Sequence, residues 1–401
     1  MKKSDRRKFL KSITIGAGTI TLSRFAQAAP EDALPSITSL LLDDDECQTA
    51  LDGTILLNPV DSTNTEQSLC IPPDAGFMQI TARGAGGAGS GAATSEASGF
   101  SFGADGGDGG ILTAVYRTDG IDQLTIHVGE GGIAAEASEL GQAGEFGGGT
   151  GGSYEGSGSG WGNTDQPSVG GGGGGYSAVF ADGRTLVVAG GGGGGGGSAP
   201  RGEAGGGAGG DAAEFVDASR RGQDGFGQSA ARGLGGNSNG ETFRSTGLAG
   251  AGASAETGGN EEGADGTAGA SFQGGNGGDN SVNFPISSRG GPGGGGGGGY
   301  MEDEFGDPIA GSGGGGGAGN GYQTAGEVAI NGGGGGGGGG GTSFVSRETA
   351  LVSSSVGTGI PNIGGGGGAR GTVSSGVFTA PASGEAGSVS ITFTKDDPTA
   401  S

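Results

Sequence analysis

Apolar and polar residues alternate with a period of two in several short stretches, and no stretch joins the three-to-four-residue spacing of an amphipathic helix to capping residues. In "IPPDAGFMQITARGAGGAG" a turn leads into an alternation that sets Met78, Ile80 and Ala82 on one face and Gln79, Thr81 and Arg83 on the other. This pattern predicts a half-buried strand. "ILTAVYRTDGIDQLTIHVGEGG" repeats it twice around Asp119-Gly120 and predicts a hairpin, with Leu124, Ile126 and Val128 facing the core and Thr125 and His127 facing away. "YSAVFADGRTLVVAGGGG" places two apolar strands around Asp182-Gly183, and "GSVSITFTK" alternates Val389, Ile391 and Phe393 against Ser388, Ser390 and Thr392. Strands therefore open and close the domain, and helix is expected to be nearly absent after residue 28.

Between the strands lie the runs Gly170 to Gly175, Gly190 to Gly197, Gly293 to Gly299, Gly313 to Gly317, Gly332 to Gly341 and Gly364 to Gly368. They follow no fixed period, which argues against a solenoid. The chain holds 110 glycines in 401 residues with 31% hydrophobic and 5% aromatic residues, so one large apolar core is not available. Such a composition fits a flexible linker, but the runs abut "LVVA", "YSAVF", "EVAI" and "TSFV", β-prone apolar pieces that linkers avoid. A glycine run can instead adopt the extended threefold helix of about 3.1 Å rise per residue, whose N–H and C=O groups all point outward. Gly332 to Gly341 would span roughly 30 Å in that form. Several runs could then bundle with their backbone groups mutually satisfied and with no room for a Cβ in the interior.

The formal net charge is -24, and Lys395 is the only lysine after residue 28. No basic patch exists to neutralise phosphates, which argues against nucleic acid and anionic membrane as partners. At the N-terminus, "SDRRKFLK", the apolar run "SITIGAGTITL" and the small-residue site "AQA" ending at Ala28 form the three parts of an export signal, with cleavage near Ala28. The Arg6-Arg7 pair followed by Phe9, Leu10 and Lys11 resembles a twin-arginine signal, with Asp5 departing from the usual residue before the arginines. That resemblance implies a chain that folds before export and works outside the cytoplasm, in the periplasm, at the cell surface or beyond. No later stretch is long and apolar enough to span a bilayer as a helix. Cys47 and Cys70 are the two cysteines, and an oxidising compartment lets them pair, at a gain of about 3 kcal/mol from loop closure. The organisation expected is a signal at 1–28, an acidic extension at 29–66, a glycine-rich domain at 67–395 and a tail at 396–401.

The pieces "IPPDAGFMQITARGAGGAG", "GGDGGILTAVYRTDGIDQLTIHVGEGG", "GGGGGGYSAVFADGRTLVVAGGGGGGGG", "GGGGGGTSFV" and "GSVSITFT" together resemble, in that order, the glycine-rich domain of bacterial surface proteins and of the anaplastic lymphoma kinase and leukocyte tyrosine kinase receptor ectodomains. The resemblance covers most of residues 68 to 395 and implies an all-β fold: a small β-sandwich, jelly-roll or TNF-like, with an inserted bundle of polyglycine-II helices. It implies no kinase activity, because the chain lacks the lysine and catalytic aspartate that accompany a kinase Gly-rich loop. The receptor versions carry several disulfides and a following Cys-rich module, both missing here.

Chemistry-bearing constellations are sparse. His127 is the only histidine and sits on a strand without a catalytic partner in sequence, so no catalytic residue, cofactor or metal centre is expected. "GGNGGDNSV" nearly matches a calcium-binding nonapeptide with Asp279 in place, but tandem copies are missing. "YMEDEFGDP" sets Tyr300, Met301 and Phe305 beside acids as a candidate contact loop. The expected function is that of an exported, non-enzymatic structural or adhesive component of the cell surface or extracellular matrix, partnered by itself or by other surface proteins and glycans. The alternatives are a soluble module that binds a ligand, receptor or glycan, and an ice-binding protein.

Overall fold

A computed structural model describes residues 54–57, 66–91, 100–134, 141–155, 169–198, 209, 211–212, 265–281, 293–302, 308–310, 312–316, 321–323, 330–332, 336–346, 350–357, 367–370, 372–374 and 377–400. The signal residues Arg6, Arg7, Phe9, Leu10 and Ala28, and Cys47 and Phe305, lie outside these, as does the side chain of Met301.

Among the described residues there is no helix. The longer strands form two five-stranded antiparallel sheets. The first runs, edge to edge, through Thr54–Leu57, Ser388–Thr394, Phe77–Arg83, Ile111–Arg117 and Leu351–Gly357. The second runs through Phe344–Val345, Arg184–Ala189, Ser177–Ala181, Gln123–His127 and Glu66–Cys70. The alternating faces do what their pattern predicts: Met78, Ile80, Ala82, Val389, Ile391 and Phe393 from the first sheet join Leu124, Ile126, Val179 and Leu186 from the second in one buried cluster. Tyr116, fully buried, links the two, its hydroxyl 2.9 Å from the carbonyl oxygen of Leu186 and 3.1 Å from that of Ser346.

Asp182-Gly183 forms the expected tight turn, with φ of 49° and 76°, the left-handed pair that a two-residue hairpin requires. The other expected hairpin is corrected. Ile111–Arg117 pairs with Phe77–Arg83 and Leu351–Gly357, whereas Gln123–His127 pairs with Glu66–Cys70 and Ser177–Ala181. Residues 118–122 thus carry the chain from one sheet to the other, anchored by Ile121, 7% exposed, and by the Thr118 hydroxyl donating to the Ala75 carbonyl. Two runs with apolar inner faces satisfy each other across the core as well as they would side by side. Glu66 begins a strand of the second sheet, and Thr54–Leu57 is an edge strand of the first, paired with Ser388–Thr394.

Glycine segments leave the same end of both sheets as direct continuations of strands: 84–91 follows Phe77–Arg83, 103–110 precedes Ile111–Arg117, 170–176 precedes Ser177–Ala181 and 190–198 follows Arg184–Ala189. Their amides rotate through neighbours with a period of three. Along 84–90, the amides of Gly84, Gly87 and Ser90 donate to the carbonyls of Gly110, Gly107 and Ala104. Those of Ala85 and Ala88 donate to Gly175 and Gly172, and those of Gly86 and Gly89 to Glu385 and Ala382. Along 293–298 the same rotation serves three other neighbours: Gly293 and Gly296 donate to Gly278 and Gly275, Gly294 and Gly297 to Gly336 and Gly339, Gly295 and Gly298 to Gly171 and Gly174.

This spacing is why the side chain is missing. A Cβ on Gly193 would lie 2.1 Å from the carbonyl oxygen of Gly338, and one on Gly338 would lie 2.0 Å from that of Gly295. The expectation that no Cβ is tolerated is too strict in two segments, for Ala85 and Ala88 are fully buried in 84–91 and Ala104 is buried in 103–110. Hydroxyls finish the ladder where strands give way to glycine. Ser177 Oγ accepts from the Gly129 amide and Ser343 Oγ from Gly190. Farther along the array, Ser90 Oγ accepts from Ala104 while donating to the Gly196 carbonyl.

Candidate functional site

The outer faces of the two sheets differ in chemistry. On the first, Thr81 and Thr113 pair across neighbouring strands through their hydroxyls at 3.0 Å. On the second, alternation turns His127, Phe180 and Phe344 outward from their strands, and the glycine-rich segments deliver Phe146, Tyr176, Phe272 and Tyr300 onto them. The seven rings form one connected cluster. Phe146 stacks on His127 with centroids 4.3 Å apart and planes at 17°, and Phe272 stacks on Tyr300 at 4.3 Å and 18°. Phe180 touches both halves, at 4.9 Å from His127 and 6.0 Å from Phe272, and Phe344 meets Tyr300 edge-on at 5.2 Å. Such ring pairs contribute about 0.5–1.5 kcal/mol each beyond the area that they bury.

The two stacked phenylalanines share a backbone peculiarity. Phe146 has φ of 60° and Phe272 has φ of 62°, the left-handed region that costs a bulky residue about 1–3 kcal/mol. Surrounding bonds hold each in place. The Phe146 carbonyl accepts from the Tyr176 amide, the Phe272 amide donates to the Gly299 carbonyl, and the Gln273 side-chain amide donates to the Gly148 carbonyl. Gly147, at φ 85°, lies so close that a Cβ there would sit 1.7 Å from the Phe272 carbonyl oxygen, which locks the two turns together.

His127 is the titratable centre of this face. Its Nδ1 is 3.2 Å from the Tyr176 hydroxyl, and its Nε2 is 4.0 Å from a Glu66 carboxylate oxygen. Burial among the rings lowers its pKa below the usual imidazole value, with the Glu66 charge opposing that shift. The imidazole is accordingly neutral at pH 7, and the contact with Glu66 is no ion pair there. Burial likewise raises the Tyr176 phenol well above its ordinary value.

Of the residues singled out from the sequence, Tyr300 is corrected: it is 4% exposed beneath Phe272 and Phe344, so its ring anchors the aromatic face and does not form a contact tip. Asp279 Oδ1 accepts from the amide and hydroxyl of Ser153 at 2.6 and 2.8 Å, which ties 141–155 to 265–281. Among the described residues no group of three or more His, Cys, Asp or Glu side chains is arranged to hold a metal. Cys70 closes its strand as a buried residue. Sequence reasoning missed Phe146, Tyr176, Phe180, Phe272 and Phe344 as members of one cluster. The available signal was the lone ring directly before a glycine run in "EFGGG", one residue before one in "SFQGG", or directly after one in "GGGY". Comparison of the chain with protein-family models and with curated proteins finds no match to either.

Proposed function

We propose that the protein is an exported, non-enzymatic scaffold of the cell surface or extracellular matrix, in which the two sheets form a β-sandwich and the glycine segments a bundle of polyglycine-II helices. The observation that carries this reading is the three-residue rotation of amide partners through 84–90 and 293–298, the pattern in which a threefold extended chain offers successive N–H groups to three neighbours. An array of that kind gives rigidity without a large apolar core, which suits a chain so poor in aromatic residues. The same reading includes the twin-arginine-like signal, kinship with the glycine-rich domain of the receptor ectodomains and a Cys47–Cys70 bridge, the last supported by the absence of any free cysteine among the described residues. No helix of the described part is long and apolar enough to cross a membrane.

Two measurements test the proposal. Hydrogen exchange on oxidised residues 29–401 should show slow amides at 190–195 and 336–341, and exchange at the free-chain rate would sink the bundle. Deleting the gene should weaken surface attachment or matrix formation, and an unchanged surface would remove the scaffold role while leaving the bundle intact.

The ring face favours a second reading, a module that binds a ligand, receptor or glycan. Saturable binding of the mature chain to a surface extract, lost in Phe180→Ala with the fold retained, supports it over a passive scaffold.

A further inference from the structure

His127 occupies the one place on the aromatic face where a proton can change the packing. Its ring is clamped between Phe146 and Phe180, with the Tyr176 hydroxyl at Nδ1 and Glu66 beyond Nε2. The arrangement fits a single neutral tautomer. With the proton on Nε2 facing the carboxylate, Nδ1 is left to accept from the Tyr176 O–H. Tyr176 is 6% exposed, and the one hydrogen-bond partner that its hydroxyl finds among the described residues is His127.

We infer that His127 is a proton-operated latch on the outer face of the second sheet: the neutral imidazole holds the Phe146 turn closed, and the protonated one releases it. A proton on Nδ1 converts it from acceptor to donor, so the Tyr176 hydroxyl must turn to accept and its own proton loses its partner inside the ring cluster. The turn that would yield is already strained. Phe146 sits at φ 60°, and its ring stacks on the imidazole that becomes charged. Its backbone bond, from the Tyr176 amide to the Phe146 carbonyl, joins the same two residues that the imidazole touches.

The charged and titratable groups on the elements packed against His127 are few. Glu66 lies opposite it on the neighbouring strand, Tyr176 leads into the strand on its other side, and Glu145 precedes Phe146 in the turn; Ser177–Ala181 itself contributes none. Burial opposes protonation and Glu66 favours it, so release is set for acid conditions. The sign follows from linkage. The folded pKa lies below the unfolded value near 6.5, so the closed state is fully favoured above that value and loses stability as pH falls through the folded one. An exported protein with this latch would uncover its aromatic face on acidification.

The chain has one histidine, so its imidazole signals in an NMR titration of the oxidised mature chain are unambiguous. We expect the Nε2–H tautomer at pH 7.5 and a midpoint below 6.5. Across that midpoint, amide exchange in 144–149, corrected for the intrinsic pH dependence, should accelerate at least tenfold. His127→Phe keeps a ring in the stack and removes the proton, and its turn should stay closed at every pH. Glu66→Gln, at an exposed position, should move both the titration and the opening to lower pH together. The Nδ1–H tautomer, a midpoint at or above 6.5, titration with unchanged exchange, or acceleration that persists in His127→Phe would each overturn the inference. If His127→Phe does not fold, Glu66→Gln decides it: an opening that fails to follow the shifted titration rules the latch out.

Discussion

The two-sheet core and the glycine array continue one another along the same strands, yet each would be damaged by what the other needs. In the core, Met78, Ile80, Leu124, Ile126, Ile391 and Phe393, drawn from both sheets, form one buried apolar cluster, and stability follows the apolar volume put there. In the array nearly every interior position is bare. Backbone amides approach backbone carbonyls at 2.6–3.2 Å on several sides, and stability follows the absence of anything that would hold them apart. One region is weakened by removing atoms and the other by adding them. A chain with few aromatic residues can thus stay ordered over a large volume by changing what fills its interior.

A side chain added to the array should do the greatest damage. Gly338→Val places its Cβ 2.0 Å from the Gly295 carbonyl oxygen, where the obstacle is backbone and cannot swing aside. We expect a loss beyond about 4 kcal/mol, seen as a collapse of the urea midpoint or as failure to fold. Gly120→Ala is the control. Its φ of 78° strains an alanine, but nothing lies within 4 Å of the added carbon, and the loss should be about 1 kcal/mol. Equal effects of the two would mean that the array tolerates bulk and that its close packing does not hold it together.

The complementary change removes atoms from the core. Leu124→Ala opens a cavity beneath a fully buried position and should cost about 2–5 kcal/mol in the same urea experiment, with the array segments still protected from exchange. Loss of protection along 84–90 at equal denaturant would show that the two regions unfold as one unit.

How much of this was legible depended on which rule governed each part. Period-two alternation named the core faces of Phe77–Arg83, Gln123–His127 and Ser388–Thr394 correctly, because pleating alone decides which side chains share a face. It could not say that Ile111–Arg117 and Gln123–His127 belong to different sheets, since an apolar inner face looks the same whether its partner lies beside it or across the core. The glycine runs announced close backbone approach, but which segments meet depends on contacts between residues as distant as 86 and 385. The aromatic face was the least legible part. Its rings come from positions 127 to 344, only Phe146, Tyr176 and Tyr300 of them next to a glycine, and Tyr300 looked like a surface tip because acids follow it.

Within the array, hydroxyls stand in for some of the backbone partners, and a smaller effect is expected there. Ser90→Ala removes the acceptor of the Ala104 amide and the donor to the Gly196 carbonyl, both buried. The cost should be about 1–3 kcal/mol, smaller than that of Gly338→Val because the vacated space clashes with nothing. A thermal midpoint within error of the parent would place a substitute partner, such as water, at that position.

The smallest effect tests the rim of the array, where carboxylates take the place of missing backbone partners. Asp211 Oδ1 accepts from the Asp108 amide at 2.9 Å, and Asp108 Oδ1 in turn accepts from the Gly367 amide at 2.7 Å. Burial, chiefly, raises the Asp211 pKa; the bond from the Asp108 amide lowers it, and the Asp108 charge adds to the rise. A folded value above the unfolded one means that the contribution of this group is fully present below the unfolded pKa and is lost as pH rises through the folded value. At pH 7 the charge therefore weakens a cap that its oxygen supports. Asp211→Asn keeps a carbonyl oxygen for the Asp108 amide and discards the charge, so its thermal midpoint should equal or slightly exceed the parent's at pH 7. That advantage should vanish by pH 3, where the parent carboxyl is itself neutral. A variant clearly less stable than the parent at pH 7 would show instead that the ionised carboxylate strengthens the cap, and that this rim is held by charge as well as by the geometry of its acceptors.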